Sequence, residues 1–258
     1  MKRSVFLAVW LAAMAAFGGF DFRSLDLTKA VKDTGKVLHS ATGVGLQEEL
    51  TIGNSVAVEI VSRYGGLLRD EAITRRVNLV GKSLVASSAR PELEFRFGVL
   101  NSPSVNAFSA PGGDVFITKG LYDLVQNDDQ LAGVLAHEIA HVTERHAINI
   151  IRKGEFREGL AGWGEQAGTA AGKADVVQYS KGVDQVTKVV VEKGFDPNTE
   201  FEADKVGAKL AMMVGYAPDG LEQCLKTLQQ HETGKTTFFP THPPLKKRIE
   251  KLDAQAKR

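Results

Sequence analysis

The stretch His137-Glu138-Ile139-Ala140-His141 places two histidines four residues apart with a glutamate after the first. It lies in a periodic apolar segment that follows Asn127, a residue suited to cap a helix, and we expect one helix from there to about Ile151. Residues four apart on a helix differ by only about 40°, so both imidazoles project from one face toward one point. This arrangement is typical of a zinc site, and the glutamate between the histidines is placed to take a proton from a bound water.

A pair of exposed helix histidines is the alternative. The apolar neighbours Val134, Leu135 and Ile139 count against it, because they predict a buried helix in which unpaired polar side chains are costly. We therefore expect one zinc ion, with both histidines as ligands and the glutamate as general base.

The composition restricts what else could bind a metal. The chain has 258 residues, 32 Lys+Arg against 31 Asp+Glu, and a net charge of +1. It lacks the excess of cations that phosphate binding needs, so no nucleic-acid partner is expected. The single cysteine, Cys224, excludes an internal disulfide and a site built from several thiolates, which leaves histidines and carboxylates as ligands. Of the six histidines, His39 and His231 have no partners in the sequence and are expected at the surface.

The N-terminus has the pattern of an export signal. Lys2 and Arg3 precede a short apolar run that carries small residues at Ala15 and Ala16. We expect residues 1–16 to be a signal peptide cut near Ala15 or Ala16, and the mature protein to lie in the periplasm. A retained anchor is the alternative, although a bilayer-spanning helix needs about 20 apolar residues.

Residues 17–258 are expected to form a single α+β domain, mainly helical. Residues 25–90 show helical periodicity, with helices predicted over 25–38, 46–64 and 70–89, and form an N-terminal helical part. Residues 91–258 form the catalytic part. Short strands are predicted over 93–99, 106–109 and 114–118, and later helices over 176–192, 200–214, 221–230 and 243–252. We expect a small, mostly antiparallel sheet beside the helix of the histidine pair. The glycine-rich residues 154–174 fit either a tightly packed helix or a mobile lid.

A third ligand is expected in the acidic stretch Glu200-Phe201-Glu202-Ala203-Asp204. Glu200 and Asp204 are again four apart, so one can reach the metal while the other accepts the spare N–H of a ligating histidine. Ordinary acidic residues of a helix N-terminus are the alternative for both. Glu202 points elsewhere and is interpreted as a solvated ion-pair residue. His146 would lie on the far side of its helix from the histidine pair and is interpreted as structural.

These motifs resemble the HtpX and CAAX prenyl endopeptidase family of gluzincin zinc peptidases, most closely its soluble periplasmic BepA/LoiP-like branch. The resemblance covers roughly residues 45–255, and it rests on His137 to His141, Glu200, Asp204, the run Asn106 to Gly113, and Thr241-His242-Pro243-Pro244. It implies a zincin fold, with His137, His141 and Glu200 as zinc ligands, Glu138 as general base and Asp204 as partner of a ligand. We expect no multi-span membrane region and no helical-repeat domain, so membrane-embedded and outer-membrane assembly roles do not carry over.

The resemblance also suggests roles for a late histidine and for one strand. His242 is interpreted as a latch over the zinc or as a stabiliser of the developing oxyanion, with an ordinary loop histidine as the alternative. Zincins hold an extended peptide against a sheet edge, so Asn106, Ala107, Phe108 and Ser109 are the predicted substrate-binding residues. A hairpin with no substrate role is the alternative for that strand.

The predicted activity is that of a zinc metalloendopeptidase acting on unfolded or misassembled envelope proteins. Extended polypeptide is the expected partner, and peripheral membrane association is compatible with the sequence, which does not define an oligomeric state. One alternative is a peptide-binding chaperone or assembly factor whose protease activity is latent; another is an exopeptidase. The intact Glu138 counts against a binder without activity, because peptide binding needs no general base.

Overall fold

The computed structural model describes residues 44–153, 183–231 and 241–256. The predicted signal peptide, the predicted helix over 25–38, His39 and the glycine-rich residues 154–174 lie outside these residues. Within them, no helix has both the length and the apolar character needed to cross a membrane.

The elements confirm a mainly helical α+β fold. In chain order they are α1 (Leu46–Arg63), α2 (Glu71–Val85), β1 (Arg96–Leu100), β2 (Ala107–Ala110), β3 (Asp114–Thr118), α3 (Lys119–Leu124), α4 (Asp128–Thr143), α5 (His146–Lys153), a π-helical segment (Lys188–Lys193), α6 (Pro197–Val214), α7 (Gly220–His231) and α8 (Leu245–Ala256).

The three strands form one small sheet in the order β1-β3-β2. Arg96 pairs with Asp114 in a parallel ladder between β1 and β3, whereas Ala107 pairs with Ile117 in an antiparallel ladder between β2 and β3. The sheet is therefore mixed, and the expectation of a mostly antiparallel sheet holds for only one of its ladders. The reason is topological: β2 lies at the far edge from β1, and the chain then turns back through a tight turn so that β3 lies between them.

Helices cover both faces of this sheet. Val99, Val115 and Ile117 point into a core shared with α2, α4, α7 and α8. Phe108 and Phe116 point into a second core formed with α1, α5 and the π-helical segment. All residues of β2 and β3 are consequently buried, and β2 places one end of its buried face against α4.

Helix α4 lies at the centre of the fold. The side chain of Asn127 caps it by accepting a hydrogen bond from the Gln130 amide at 2.9 Å. Two glycines let its neighbours approach closely: a Cβ at Gly133 would lie 2.2 Å from the Leu221 amide nitrogen, and a Cβ at Gly207 would lie 2.8 Å from that of His137. Helices α6 and α7 thus pack against the backbone of α4, which holds them in fixed positions.

Helix α4 ends at Thr143, so the prediction of one helix to about Ile151 is wrong. Arg145 has a φ of 56°, in the left-handed region that ends a helix, and α5 begins at the next residue. Its guanidinium donates to the carbonyl of Val44 at 2.8 Å and pairs with the buried carboxylate of Glu49 at 2.9 Å. Contacts with α1 and the residues before it therefore hold a backbone conformation that no local glycine or proline signals.

Candidate active site

The predicted metal ligands converge on one point between α4 and α6. The Nε2 atoms of His137 and His141 lie 3.0 Å apart. The Oε2 atom of Glu200 lies 3.6 Å from the His137 nitrogen, and the Oε1 atom lies 3.7 Å from the His141 nitrogen. The Nδ1 atom of His242 lies 2.5 Å from Glu200, and one donor atom from each of the four residues falls within 4.8 Å of the others.

This geometry suits a zinc ion. Ligand bonds of about 2.0–2.1 Å at tetrahedral angles place neighbouring donor atoms about 3.3 Å apart, and the separations among His137, His141 and Glu200 bracket that value. The Oε1 atom of Glu200 is buried and accepts no hydrogen bond from the residues that the structure describes. A buried carboxylate oxygen without a partner is costly, and a cation bound between the donors would provide the missing interaction.

Burial shifts the pKa values of the donor residues, and the shifts of the two histidines favour cation binding. It lowers the pKa of His137 and lowers that of His141 well below the ordinary value, so both imidazoles are neutral at pH 7 and present a lone pair. Burial also raises the pKa of Glu200 to about 7, and nearby His137 and Arg248 oppose this shift. A bound cation would favour the ionised carboxylate, which makes metal binding and proton release linked events.

Glu138 lies beside the donor set with its side chain buried. The Ser109 hydroxyl donates to its Oε2 at 2.8 Å, which fixes the carboxylate orientation. Burial raises the pKa of Glu138 to about 7. A carboxylate that titrates near neutral pH can both accept and return a proton at working pH. Ser109, predicted to bind substrate, is placed in the structure as the partner of Glu138.

Asp204 and Arg248 support His137 from behind. Asp204 lies 2.9 Å from the Nδ1 atom of His137, and Arg248 donates two hydrogen bonds to the same carboxylate at 2.6 and 3.1 Å. Burial by itself would raise the pKa of Asp204, but the Arg248 guanidinium and His137 lower it well below the ordinary value. The carboxylate stays ionised and holds His137 with Nε2 toward the donor set. Sequence reasoning missed Arg248, because nothing distinguishes it from other cations in a basic helix.

His242 closes the donor set on the side of Glu138. Its Nε2 atom lies 3.9 Å from Glu138 Oε1, and its Nδ1 atom contacts Glu200. Burial and the Arg248 charge lower the pKa of His242 to about 4, so the ring is neutral at pH 7. The ring lies at the fourth corner of the donor set, the position that a water or a substrate carbonyl needs.

The predicted substrate strand is an edge strand in the structure, since β2 pairs only with β3 within residues 44–153, 183–231 and 241–256. All four residues of β2 are buried, and the π-helical segment contacts the strand. Asn106 is also buried and donates to the Thr241 hydroxyl at 3.4 Å, next to His242. The edge is therefore covered here, and a peptide would need these covering residues to move aside.

His146, predicted to point away, instead contacts a metal donor. Its Nδ1 atom lies 2.9 Å from the Nδ1 atom of His141, because the break at Arg145 turns the chain back toward the site. Phe195 stacks on the His141 ring with centroids 4.5 Å apart. Glu202 is exposed, as predicted, and approaches the Nε2 atom of His146 to 3.5 Å. A uniform helical projection could not reveal this contact.

Comparison with known proteins supports the same chemistry. The sequence profile of Peptidase family M48 matches residues 71–256. Mitochondrial metalloendopeptidase OMA1 of Schizosaccharomyces pombe is 30% identical over 232 residues, which cover 83% of this chain and 64% of that protein. The beta-barrel assembly-enhancing protease of Escherichia coli (strain K12) is 26% identical over 232 residues, covering 84% of this chain and 45% of that protein. Metalloprotease YcaL of the same organism is 25% identical over 206 residues, covering 79% and 74%.

This chain spans less than two thirds of the length of the first two relatives. The family match nevertheless covers most of the described residues and every donor atom of the site. The resemblance noted from the sequence motifs is confirmed, and the chain belongs to peptidase family M48.

Proposed function

We propose that the chain is a zinc-dependent metalloendopeptidase of the periplasm that hydrolyses unfolded or misassembled envelope proteins. Residues 17–258 would form a single peptidase domain after removal of the signal peptide over residues 1–16. The observation that carries the proposal is the position of Glu138, a buried carboxylate with a pKa near neutral beside three metal donors. Peptide binding alone requires no general base, whereas hydrolysis requires one whose pKa lies near the working pH.

The residues of the site would have two separate roles, metal binding and general-base catalysis. A zinc ion held by His137, His141 and Glu200 would supply a Lewis acid and lower the pKa of the attacking water. Glu138 would act as the general base through Oε1, the oxygen that Ser109 does not contact, and would return the proton to the leaving amine. The side chains of His137, Glu138 and His141 are almost fully buried, which strengthens the charge interactions in the site.

Peptide binding is assigned to the β2 edge. Backbone groups of Asn106, Ala107, Phe108 and Ser109 would pair with an extended substrate, so affinity would depend little on its sequence. The edge position of β2 beside Glu138 supports this assignment. Binding in an extended conformation would favour unfolded chains as substrates, since a folded protein offers few free strands.

The compartment and substrate class rest on the N-terminus and on the relatives. Lys2, Arg3 and the apolar run that follows support export, and peripheral membrane association is compatible with that position. One relative is named as a protease that enhances β-barrel assembly and another as a metalloendopeptidase. The near-zero net charge counts against a nucleic acid as the partner.

Comparison of the wild-type protein with Glu138→Gln tests the mechanism. We expect the variant to keep one zinc per chain while casein hydrolysis falls by at least about a hundredfold, as for loss of a general base. The exposed substitution Glu250→Gln serves as the control and should change neither quantity. Undiminished hydrolysis by Glu138→Gln would refute the proposal.

The type of peptidase needs its own measurement. Peptides blocked at both termini should be cut internally, and mass-spectrometric mapping of products from a denatured protein mixture should show cleavage sites away from chain ends. Failure to cut blocked peptides, with removal of terminal residues from free ones, would indicate an exopeptidase.

A latent protease that acts as a chaperone or assembly factor is the second candidate. The contact of His242 with Glu200 and the covered β2 edge favour it, because both restrict access to the site. Complementation of a deletion strain by Glu138→Gln would support this role, and failure of that variant beside a functional wild-type copy would support proteolysis.

A further inference from the structure

We infer that His146 is a positioning residue for the metal site: it holds His141 in the tautomer that presents Nε2 to the metal, and Glu202 holds His146 in the matching tautomer. This inference rests on the proposed function and identifies a pair of residues that supports the second histidine ligand. It starts from the 2.9 Å contact between the Nδ1 atoms of the two buried histidines.

The contact permits only one direction of donation. A metal bound at Nε2 needs the lone pair of that nitrogen, so the neutral His141 ring carries its proton on Nδ1. That proton points at the Nδ1 atom of His146, which must then be the acceptor, since two N–H groups cannot face each other at this distance. The proton of neutral His146 is therefore on its Nε2 atom.

Glu202 favours this tautomer. Its carboxylate lies 3.5 Å from the Nε2 atom of His146, which is buried and has no hydrogen-bond partner among the described residues. The N–H is thus directed at a negative charge on a side chain that is 59% exposed and free to adjust its rotamer. Asp204 contacts the ligand His137 directly, whereas Glu202 acts on the ligand His141 through His146, and both carboxylates belong to α6.

A strained backbone conformation brings His146 into contact with His141. Arg145, the residue before His146, has a φ of 56°, a conformation that costs a non-glycine residue free energy and tends to occur at functional sites. The pairing of Arg145 with Glu49 holds this conformation. A continuous helix would be easier to form, but it would direct His146 away from His141.

Zinc affinity, measured by competition with a chelator in the absence of substrate, tests the inference. His146→Phe keeps a planar aromatic ring and removes the acceptor, and we expect zinc affinity to fall by roughly 10- to 100-fold. His146→Asn places an amide oxygen near the Nδ1 position and should restore most of that affinity. Glu202→Ala should reduce the affinity by a smaller factor, and the exposed Glu250→Ala should leave it unchanged.

Two results would overturn the inference. One is wild-type zinc affinity in a folded His146→Phe protein. The other is an equal loss in the Phe and Asn variants, which would indicate packing and not hydrogen bonding. The visible spectrum of the cobalt-substituted protein gives a second measurement, because altered orientation of His141 should shift its bands in His146→Phe and less in His146→Asn. Neither measurement involves peptide hydrolysis, so failure here is distinct from failure of the proposed activity.

Discussion

Arg248 donates two hydrogen bonds to Asp204, and both side chains are almost completely buried, at 1% exposure each. Their pairing joins α8 to α6 directly behind His137. Arg248→Met should destabilise the protein by about 3–5 kcal/mol, because it leaves the Asp204 charge buried without its partner. Zinc affinity should also fall, and both effects can be measured by chemical denaturation and chelator competition.

A second substitution separates these two effects. Adding Asp204→Asn to Arg248→Met removes the buried charge, so part of the lost stability should return while zinc affinity stays low. The exposed Lys247→Met is the control and should match the wild type. Equal zinc affinity in all four proteins would show that the pair does not support His137.

Gly207→Ala should weaken metal binding without touching a ligand. A Cβ at this position would lie 2.8 Å from the His137 amide nitrogen, so α6 must move away from α4. That movement separates Glu200 from both histidines, and overpacking of this kind costs about 1–3 kcal/mol. Titration calorimetry with zinc checks the expectation. The exposed Lys209→Ala on the same helix should bind zinc normally, and normal binding by Gly207→Ala would contradict the close packing described here.

Activity should have an acidic limb that belongs to Glu138. Burial raises the pKa of this carboxyl to about 7, and only its ionised form can accept a proton. The positive charge of a bound metal acts in the opposite direction, so kcat/KM should fall with unit slope as the pH drops through a value at or below about 7. A profile measured from pH 5 to 9 under zinc saturation checks the sign. A rate that rises toward pH 5 would be inconsistent with Glu138 as the base.

His242→Ala should increase the hydrolysis of a short blocked peptide. The Nδ1 atom of His242 lies 2.5 Å from Glu200, and the ring covers the fourth corner of the donor set. Loss of a competing hydrogen bond of about 1.5 kcal/mol would raise kcat/KM by about tenfold. A stabiliser of the oxyanion would instead show a fall of about a hundredfold or more in kcat. Steady-state kinetics therefore distinguishes the two roles predicted from the sequence.

Cys224 should be inert in the folded protein. The thiol is completely buried, and burial raises its pKa to about 12, so the reactive thiolate is almost absent at pH 8. A colorimetric thiol reagent should detect no reaction until denaturant is added and one thiol per chain afterwards. Rapid labelling of the native protein would contradict this packing.

Local patterns in the sequence predicted the elements well where periodicity and caps agreed. The helix from Leu46, the strand over 114–118 and the histidine pair on a buried helix are all confirmed, since each follows from spacing and apolar faces. The parallel ladder between β1 and β3 could not be predicted, because strand order depends on how the chain returns and not on alternation.

Long-range contacts account for the rest. Arg145 adopts its left-handed conformation because Glu49, nearly a hundred residues earlier, pairs with it, so the end of α4 has no local signal. The contact between Arg248 and Asp204 depends on the packing of α8 against α6. Both residues determine the geometry of the site, and both are ordinary surface cations when judged by sequence alone.

The donors of the metal site come from separate elements, α4, α6 and the residues before α8. An unfolded chain can therefore offer a metal little more than the His137 and His141 pair, whereas the folded chain offers the complete set. Ligand binding and folding are thermodynamically linked in such a case: free zinc at a hundred times the dissociation constant adds about 2.7 kcal/mol to the stability of the native state. The concentration of free zinc would thus affect the stability of the native fold as well as the occupancy of the site.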